Sequence, residues 1–252
     1  MPEDDNPDGG LRTLLDRKAE GVAVLVSGAV PAAVHRSMSA RLLGSPEVDR
    51  RRMLALTGLG RAAVDERLPP NASTRPERLR AVFGDGWCRS ARSPANTAND
   101  GEPTARFATP STEAPAAADT LHAESLTVVE DTLLSVFGER LSHEMTALAG
   151  AADGLEPGQL RLCLDSIDRL AHDHENDDVL RFAHLVADQV RCRDGMMHIH
   201  SHSPPDDLPV PNLTDVADVT IRLRRTGTVP EFRPYLEGEA LTDWSRMPPG
   251  PG

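Results

Sequence analysis

Residues 160–170 read Leu-Arg-Leu-Cys-Leu-Asp-Ser-Ile-Asp-Arg-Leu, and the fold turns on how they are read. Leu160 to Leu164 is a short apolar run, preceded by a turn at Gly154 to Gly158 and closed by Asp165-Ser166. A run this short, bounded by turn residues, predicts a strand covered on both faces rather than a helix. In a parallel sheet the carboxyl end of such a strand opens onto the ligand crevice, and Asp165 would stand there. A plainer expectation stands beside it, that Asp165 caps the helix that follows.

Downstream, Val179, Phe182, Val186 and Val190 recur at helical spacing and predict a helix over 176–192. Met196 to His200 is a further strand, and Asp218 to Arg225 and Glu231 to Leu236 flank Thr226-Gly227 as an antiparallel pair. Upstream, Leu126, Val129, Leu133, Val136, Phe137, Leu141, Met145 and Leu148 step by three and four, which predicts one long amphipathic helix. Before it, residues 89–120 are rich in Ala, Pro, Thr and Ser without apolar period and read as a flexible insertion. Leu79 to Phe83 and Arg52 to Thr57 are strands, with a helix around Arg61 to Leu68 between them. Val22 to Val26 is another buried strand; Pro31 suits a first helical position and Ala32 to Leu43 continues as a helix. Leu11 to Glu20 reads as a short helix.

Strand and helix alternate through most of the chain. That order predicts an α/β fold, a mostly parallel sheet flanked by helices with a C-terminal antiparallel hairpin. The expected organisation is one domain over 11–88 and 121–244, interrupted by the 89–120 insertion, with disordered tails at 1–10 and 245–252.

Composition narrows the setting. The net charge is -12, from 39 acidic against 27 basic residues, and Lys18 is the lone lysine. An acidic surface almost without lysine suits a very salty cytoplasm, where repulsion is screened within a few Å. The same charge argues against nucleic acid as a partner. With two Trp, one Tyr and five Phe, the core has to be aliphatic. Cys88, Cys163 and Cys192 are widely spaced and odd in number, which favours reduced thiols in a cytoplasmic protein. The stretch Met1 to Gly10 lacks the pattern of a signal peptide, and Gly21 to Val34 is too short to span a bilayer, so no membrane partner is expected.

The apolar strand ending in Asp165-Ser166 resembles the Walker B strand of the RecA/KaiC family. The resemblance extends through the 176–192 helix and the 196–200 strand to Leu213–Leu223, where Asp218-Val219 enters the terminal hairpin. More narrowly, the chain resembles a haloarchaeal group of degenerate RecA/KaiC-like proteins that pair a motif like Arg161–Ser166 with a late strand like Gly195–His200. The resemblance covers all but the insertion and the termini. It implies a RecA-like domain in which Asp165 would hold magnesium through water.

The phosphate loop departs from that pattern. Counting G-x-x-x-x-G-K-[ST] from Gly28 puts Ala33 at the second glycine and Val34 at the lysine, with Ser37 two positions late behind His35-Arg36. Pro31 also removes a backbone N–H that would cradle phosphate. The second strand ends at Leu56-Thr57-Gly58 without the carboxylate that RecA-like enzymes place there. ATP with magnesium is therefore not expected as a cofactor. What remains is a vestigial nucleotide or anion site of Gly28, His35, Arg36, Ser37, Asp165 and Ser166.

His198 and His200 alternate on one strand, so their side chains share a face about 6.6–7 Å apart. Such a pair can grip one metal ion, with Cys163 or Asp165 on an adjacent strand as a third ligand. His202 joins only if the chain bends. The plainer alternative makes one histidine a hydrogen-bonded strand-end group and the others solvated. Ser142-His143-Glu144 resembles a phosphoacceptor box, but no ATP-binding boxes follow it, and the apolar face of its helix accounts for the segment. The expected function is a non-catalytic regulatory or interaction protein, a pseudo-ATPase working through an unidentified protein partner or further copies of itself. The alternative is a metal-dependent or nucleotide-binding protein using the crevice near His198, His200 and Asp165.

Overall fold

The computed structural model describes residues 21–57, 62–84 and 121–247. The 1–10 tail, the 11–20 helix and the 89–120 insertion expected from sequence lie outside the described residues. The elements follow in the order β1 (Val22–Ser27), α1 (Ala32–Leu43), β2 (Arg51–Thr57), α2 (Ala62–Asp65), β3 (Leu79–Gly84) and β4 (Leu126–Val129). Then come α3 (Leu134–Ala151), β5 (Leu160–Asp165), α4 (Ile167–Asp173), α5 (Asn176–Arg191) and β6 (Met196–Ser201). The last are β7 (Val219–Thr226), β8 (Val229–Leu236), β9 (Glu239–Ala240) and β10 (Ser245–Arg246).

The strands form one sheet in the order β10-β8-β7-β1-β6-β5-β2-β3-β4, with β9 paired to β8. From β7 to β4 every pairing is parallel. The β7–β8 hairpin and the two short strands beside it are antiparallel. This is the expected fold class, a mostly parallel sheet with an antiparallel C-terminal edge.

β1, β2, β5 and β6 are buried along their whole length; β1 is apolar up to Ser27, whereas β2, β5 and β6 also bury Arg51, Arg52, Arg161, Asp165, His198 and His200. Alternation then decides which layer each side chain joins. Val22, Val24 and Val26 pack with Met38 and Leu42 of α1. Ala23 and Leu25 face the other way and join the cluster formed with α3, α4 and α5. On that second face α5 buries Val179, Phe182, Ala183, Val186, Ala187 and Val190. Each fully buried Val or Phe among them contributes about 1.5–3 kcal/mol. At the start of the crevice, a Cβ on Gly28 would lie 2.3 Å from the Leu223 carbonyl oxygen, and the residue sits at φ +158°. Only glycine lets β1 turn off this close to β7.

Two expectations need correction. The helix expected from Leu126 begins instead at Leu134, and Leu126–Val129 is strand β4, in register with Ala81–Gly84. The run Thr127-Val128-Val129 is β-branched, and Glu130 and Asp131 end it; the three-and-four spacing of Leu126 and Val129 with the helix is coincidental. The tail expected from 245 begins in order, because Ser245–Arg246 pairs with Phe232 and Glu231, and Met247 is 6% exposed against the β1 face.

Candidate functional site

The carboxyl ends of β2, β5 and β6, the N-terminal parts of α1 and α4, and α2 with the turn after it meet at one end of the sheet. There they line a crevice of about 350 Å³ bounded by Arg36, Thr57, Glu66, Arg67, Asp165, Ser166, Arg169 and His202, among others. Neighbouring strands β2 and β5 lead off in opposite directions, to β3 and to β6, so the crevice at their ends stands at a topological switch point, where α/β sheets bind ligands.

Asp165 reaches this crevice, as its place at the end of an apolar strand suggested. Its carboxylate does not cap α4, however. Oδ2 accepts a hydrogen bond from Arg67 Nη2 at 2.8 Å, and both side chains are nearly buried. Arg67 also donates to the Ala63 carbonyl at 2.9 Å. Thr57 Oγ1 donates to the Asp165 backbone carbonyl at 2.6 Å. Ser166 sits at the α4 N-terminus in the left-handed region, φ 60°, with no side-chain cap bond. Arg36 turns to Glu66 at 3.3 Å. Of the sequence-predicted anion set, Asp165 and Arg36 line the crevice already paired, while His35 has turned inward and Ser37 is absent from its lining.

His35 is 2% exposed and lies under α1 against β6. Its Nε2 lies 3.0 Å from the Gly28 carbonyl and its Nδ1 lies 3.1 Å from His200 Nδ1. A carbonyl only accepts, so Nε2 carries the proton. Neutral His35 then accepts at Nδ1, and His200 donates from its own Nδ1. Burial, with His202 adding to it, holds His35 down at about 4, so it is neutral at ordinary pH.

The histidines form a file inward. The His202 and His35 rings are 4.2 Å apart, His35 and His200 5.4 Å, and His200 and His198 5.2 Å. His202 does reach the group, because the chain bends after Ser201. Asp168 makes that bend. Its carboxylate accepts from the His202 backbone N–H at 2.9 Å, from Ser201 Oγ at 2.9 Å and from Ser203 Oγ at 3.0 Å.

At the inner end of the file, Cys163 on β5 is in register with His198 on β6. Ser39 Oγ, one helical turn beyond His35 on α1, donates to Cys163 Sγ at 3.2 Å and lies 3.3 Å from His198 Nε2. Burial holds His198 at about 3, with the nearby Arg161 contributing, and keeps His200 well below its ordinary value, with His198 contributing. Burial, then the Asp165 charge, pushes the Cys163 thiol up to about 12. Of the two third ligands considered from sequence, Cys163 faces the histidines and Asp165 is spent on Arg67.

Sequence reasoning missed Arg67, Ser39 and Asp168. Ser39 had a signal: His35, Met38, Ser39 and Leu42 fall at i, i+3, i+4 and i+7, the inward face of α1. Arg67 and Asp168 had none, since nothing local marks a side chain whose partner lies far along the chain. On α3, His143 is exposed and Glu144 is buried, accepting from Thr127 at 2.9 Å.

Asp168 yields a pH prediction. Burial pushes its carboxyl up, but the bonds from His202, Ser201 and Ser203 outweigh that and hold it at about 2. A depressed carboxyl stabilises the fold above its unfolded value, and the contribution is lost as pH falls through the folded value. Wild type should therefore lose stability relative to Asp168→Asn as pH falls from about 4 to about 2. Urea unfolding of both proteins across that window measures it; a stability difference that does not change with pH refutes it.

A family model described as a family of unknown function (DUF7504) matches residues 21–223. Among solved structures, the chain is similar to a KaiC-like protein from the hyperthermophilic archaeon Pyrococcus horikoshii OT3. The TM-score is 0.48 at 11% identity, covering 90% of this chain and 84% of that one. No curated protein sequence matches. Among the described residues, no helix is long and apolar enough to cross a membrane.

Proposed function

The chain belongs to the DUF7504 family of unknown function, and on that premise we propose that it is a non-catalytic, RecA/KaiC-like regulatory or interaction protein, a pseudo-ATPase. One observation carries this reading: the charged side chains at the crevice, and several amides of the loop after β1, are already paired with the protein itself. In the loop after β1, the Gly28 N–H donates to Ser201, the Val30 N–H donates to Gly28 and the Val34 N–H donates to Pro31. Pro31 has no N–H. A phosphate nest needs such amides turned outward. Residues 28–37 contain no lysine and, after Gly28, no second glycine. Asp165 is neutralised by Arg67, and Arg36 by Glu66.

The acidic, lysine-poor surface supports a cytoplasmic protein adapted to high salt, and a role in haloarchaeal signal transduction fits a domain that presents a fold without its chemistry. Its partner is then a protein, either another chain or further copies of this one. A metal-dependent enzyme working at His198 and His200 is disfavoured, because at 0% and 1% exposure neither can meet a substrate.

Titration calorimetry with ATP and magnesium in molar KCl tests the reading. The expected result is no saturable binding up to about 1 mM, that is, an affinity weaker than about -4 kcal/mol. Micromolar binding, with magnesium-dependent turnover abolished in Asp165→Ala, would overturn it.

A further inference from the structure

Cys163, His198 and His200 lie on the α1-facing side of the sheet with 0%, 0% and 1% exposure. One donor atom from each lies within 4.8 Å of the other two. Donors bound to one metal at about 2.0–2.3 Å are about 3.3–3.9 Å apart, so the three need close by only about 1 Å to hold an ion.

The hydrogen bonds around them leave one ring nitrogen of each histidine unprotonated. Ser39 gives its hydroxyl proton to Cys163, so His198 Nε2 has to donate to Ser39. His200 Nδ1 donates to His35. Each ring therefore keeps one unprotonated nitrogen, His198 Nδ1 and His200 Nε2. These two atoms are buried without a hydrogen-bond partner among the described residues. Native interiors rarely leave such atoms unpartnered. Metal-binding histidines are oriented in this same way, by donating the other ring N–H to a neighbour; here His35 and Ser39 are those neighbours.

We propose that Cys163, His198 and His200 form a closed binding site for a single thiophilic d10 cation, Cu(I) or Zn(II). A thiolate with two imidazoles suits both ions. Charge favours Cu(I). The metal replaces the Cys163 thiol proton, which leaves to the buffer, and no oxidation state changes. Thiolate with Cu(I) is then neutral, whereas Zn(II) leaves one buried positive charge near the buried Arg161 guanidinium. The file of rings from His202 through His35 to His200 links the site to the edge of the crevice, which His202 lines. The site is independent of the nucleotide reading, since it lies beneath the strand-end crevice and shares none of its lining residues.

The test uses the full chain, purified without a tag and stripped by chelator under anaerobic, reducing conditions. Cu(I) is titrated against a chromogenic competitor, and Zn(II) separately. One equivalent is expected, with Cu(I) bound more tightly, and X-ray absorption of the wild-type complex should show one sulfur and two nitrogens. A Cys88→Ser, Cys192→Ser double variant keeps the full equivalent. Cys163→Ser weakens binding by at least about 100-fold, the upper end of what losing even a supporting contact costs. Tighter binding of Zn(II) keeps the site and identifies the ion as zinc. Substoichiometric uptake of both ions overturns the proposal. So does a wild-type spectrum without sulfur ligation, a readout that does not depend on how any variant folds.

Discussion

Asp165→Ala is expected to destabilise the protein by about 3–5 kcal/mol, the cost of removing one partner from a buried ion pair. Side-chain exposure is 7% for Arg67 and 4% for Asp165, and their bond is 2.8 Å long. Without the carboxylate, the guanidinium keeps its bond to the Ala63 carbonyl but loses the charge that compensates it in a site with little water. Salt cannot take over that role, because a buried pair is screened far less than a surface one. The drop should therefore persist in molar KCl. Urea unfolding followed by circular dichroism measures it. Arg67→Met combined with Asp165→Leu should recover most of the loss, since apolar replacements of both partners leave no charge stranded. A loss below about 1 kcal/mol for the single variant would mean that the pair behaves as an exposed bridge.

Phe137→Ala should cost about 3–5 kcal/mol through lost burial and the cavity left behind. Phe137 is 0% exposed and lies within the largest apolar cluster, its ring 5.9 Å from that of Phe182. The two rings join α3 to α5 in a cluster that is otherwise aliphatic, so beyond Phe182 itself no aromatic is at hand to refill the space. Differential scanning calorimetry should show the melting temperature falling by about 10 °C, at about 2–4 °C per kcal/mol for a chain of this size. Leu133→Ala, one turn earlier at a residue 58% exposed, should change stability by no more than about 0.5 kcal/mol. Similar effects from the two variants would contradict the packing described.

These two sites show where sequence reading succeeds and where it stops. Phe137 announced itself through its spacing with Leu141, Met145 and Leu148, a pattern that arises only if one helical face is buried. The start of α3 did not, because Leu126 and Val129 happen to continue the spacing. Only pairing with β3 makes them a strand. Asp165 was legible as the last residue of an apolar strand, yet its partner Arg67 comes from a turn after α2, 98 residues away.

The candidate site divides in the same way. The sequence by itself determined that His198 and His200 share one face of a strand, since side chains alternate by covalent geometry. It determined most of the strand and helix order as well, because burial on both faces makes a strand a short, mostly apolar run. It also determined what the loop after Gly28 lacks. Tertiary structure alone decided that β5 and β6 pair in the register that sets Cys163 beside His198. It alone decided that α1 lowers His35 and Ser39 onto them, and that Asp168 bends His202 back toward the group. The reason is physical: periodicity is written locally, whereas strand register and the partners of buried polar groups are fixed by packing among segments far apart in the chain.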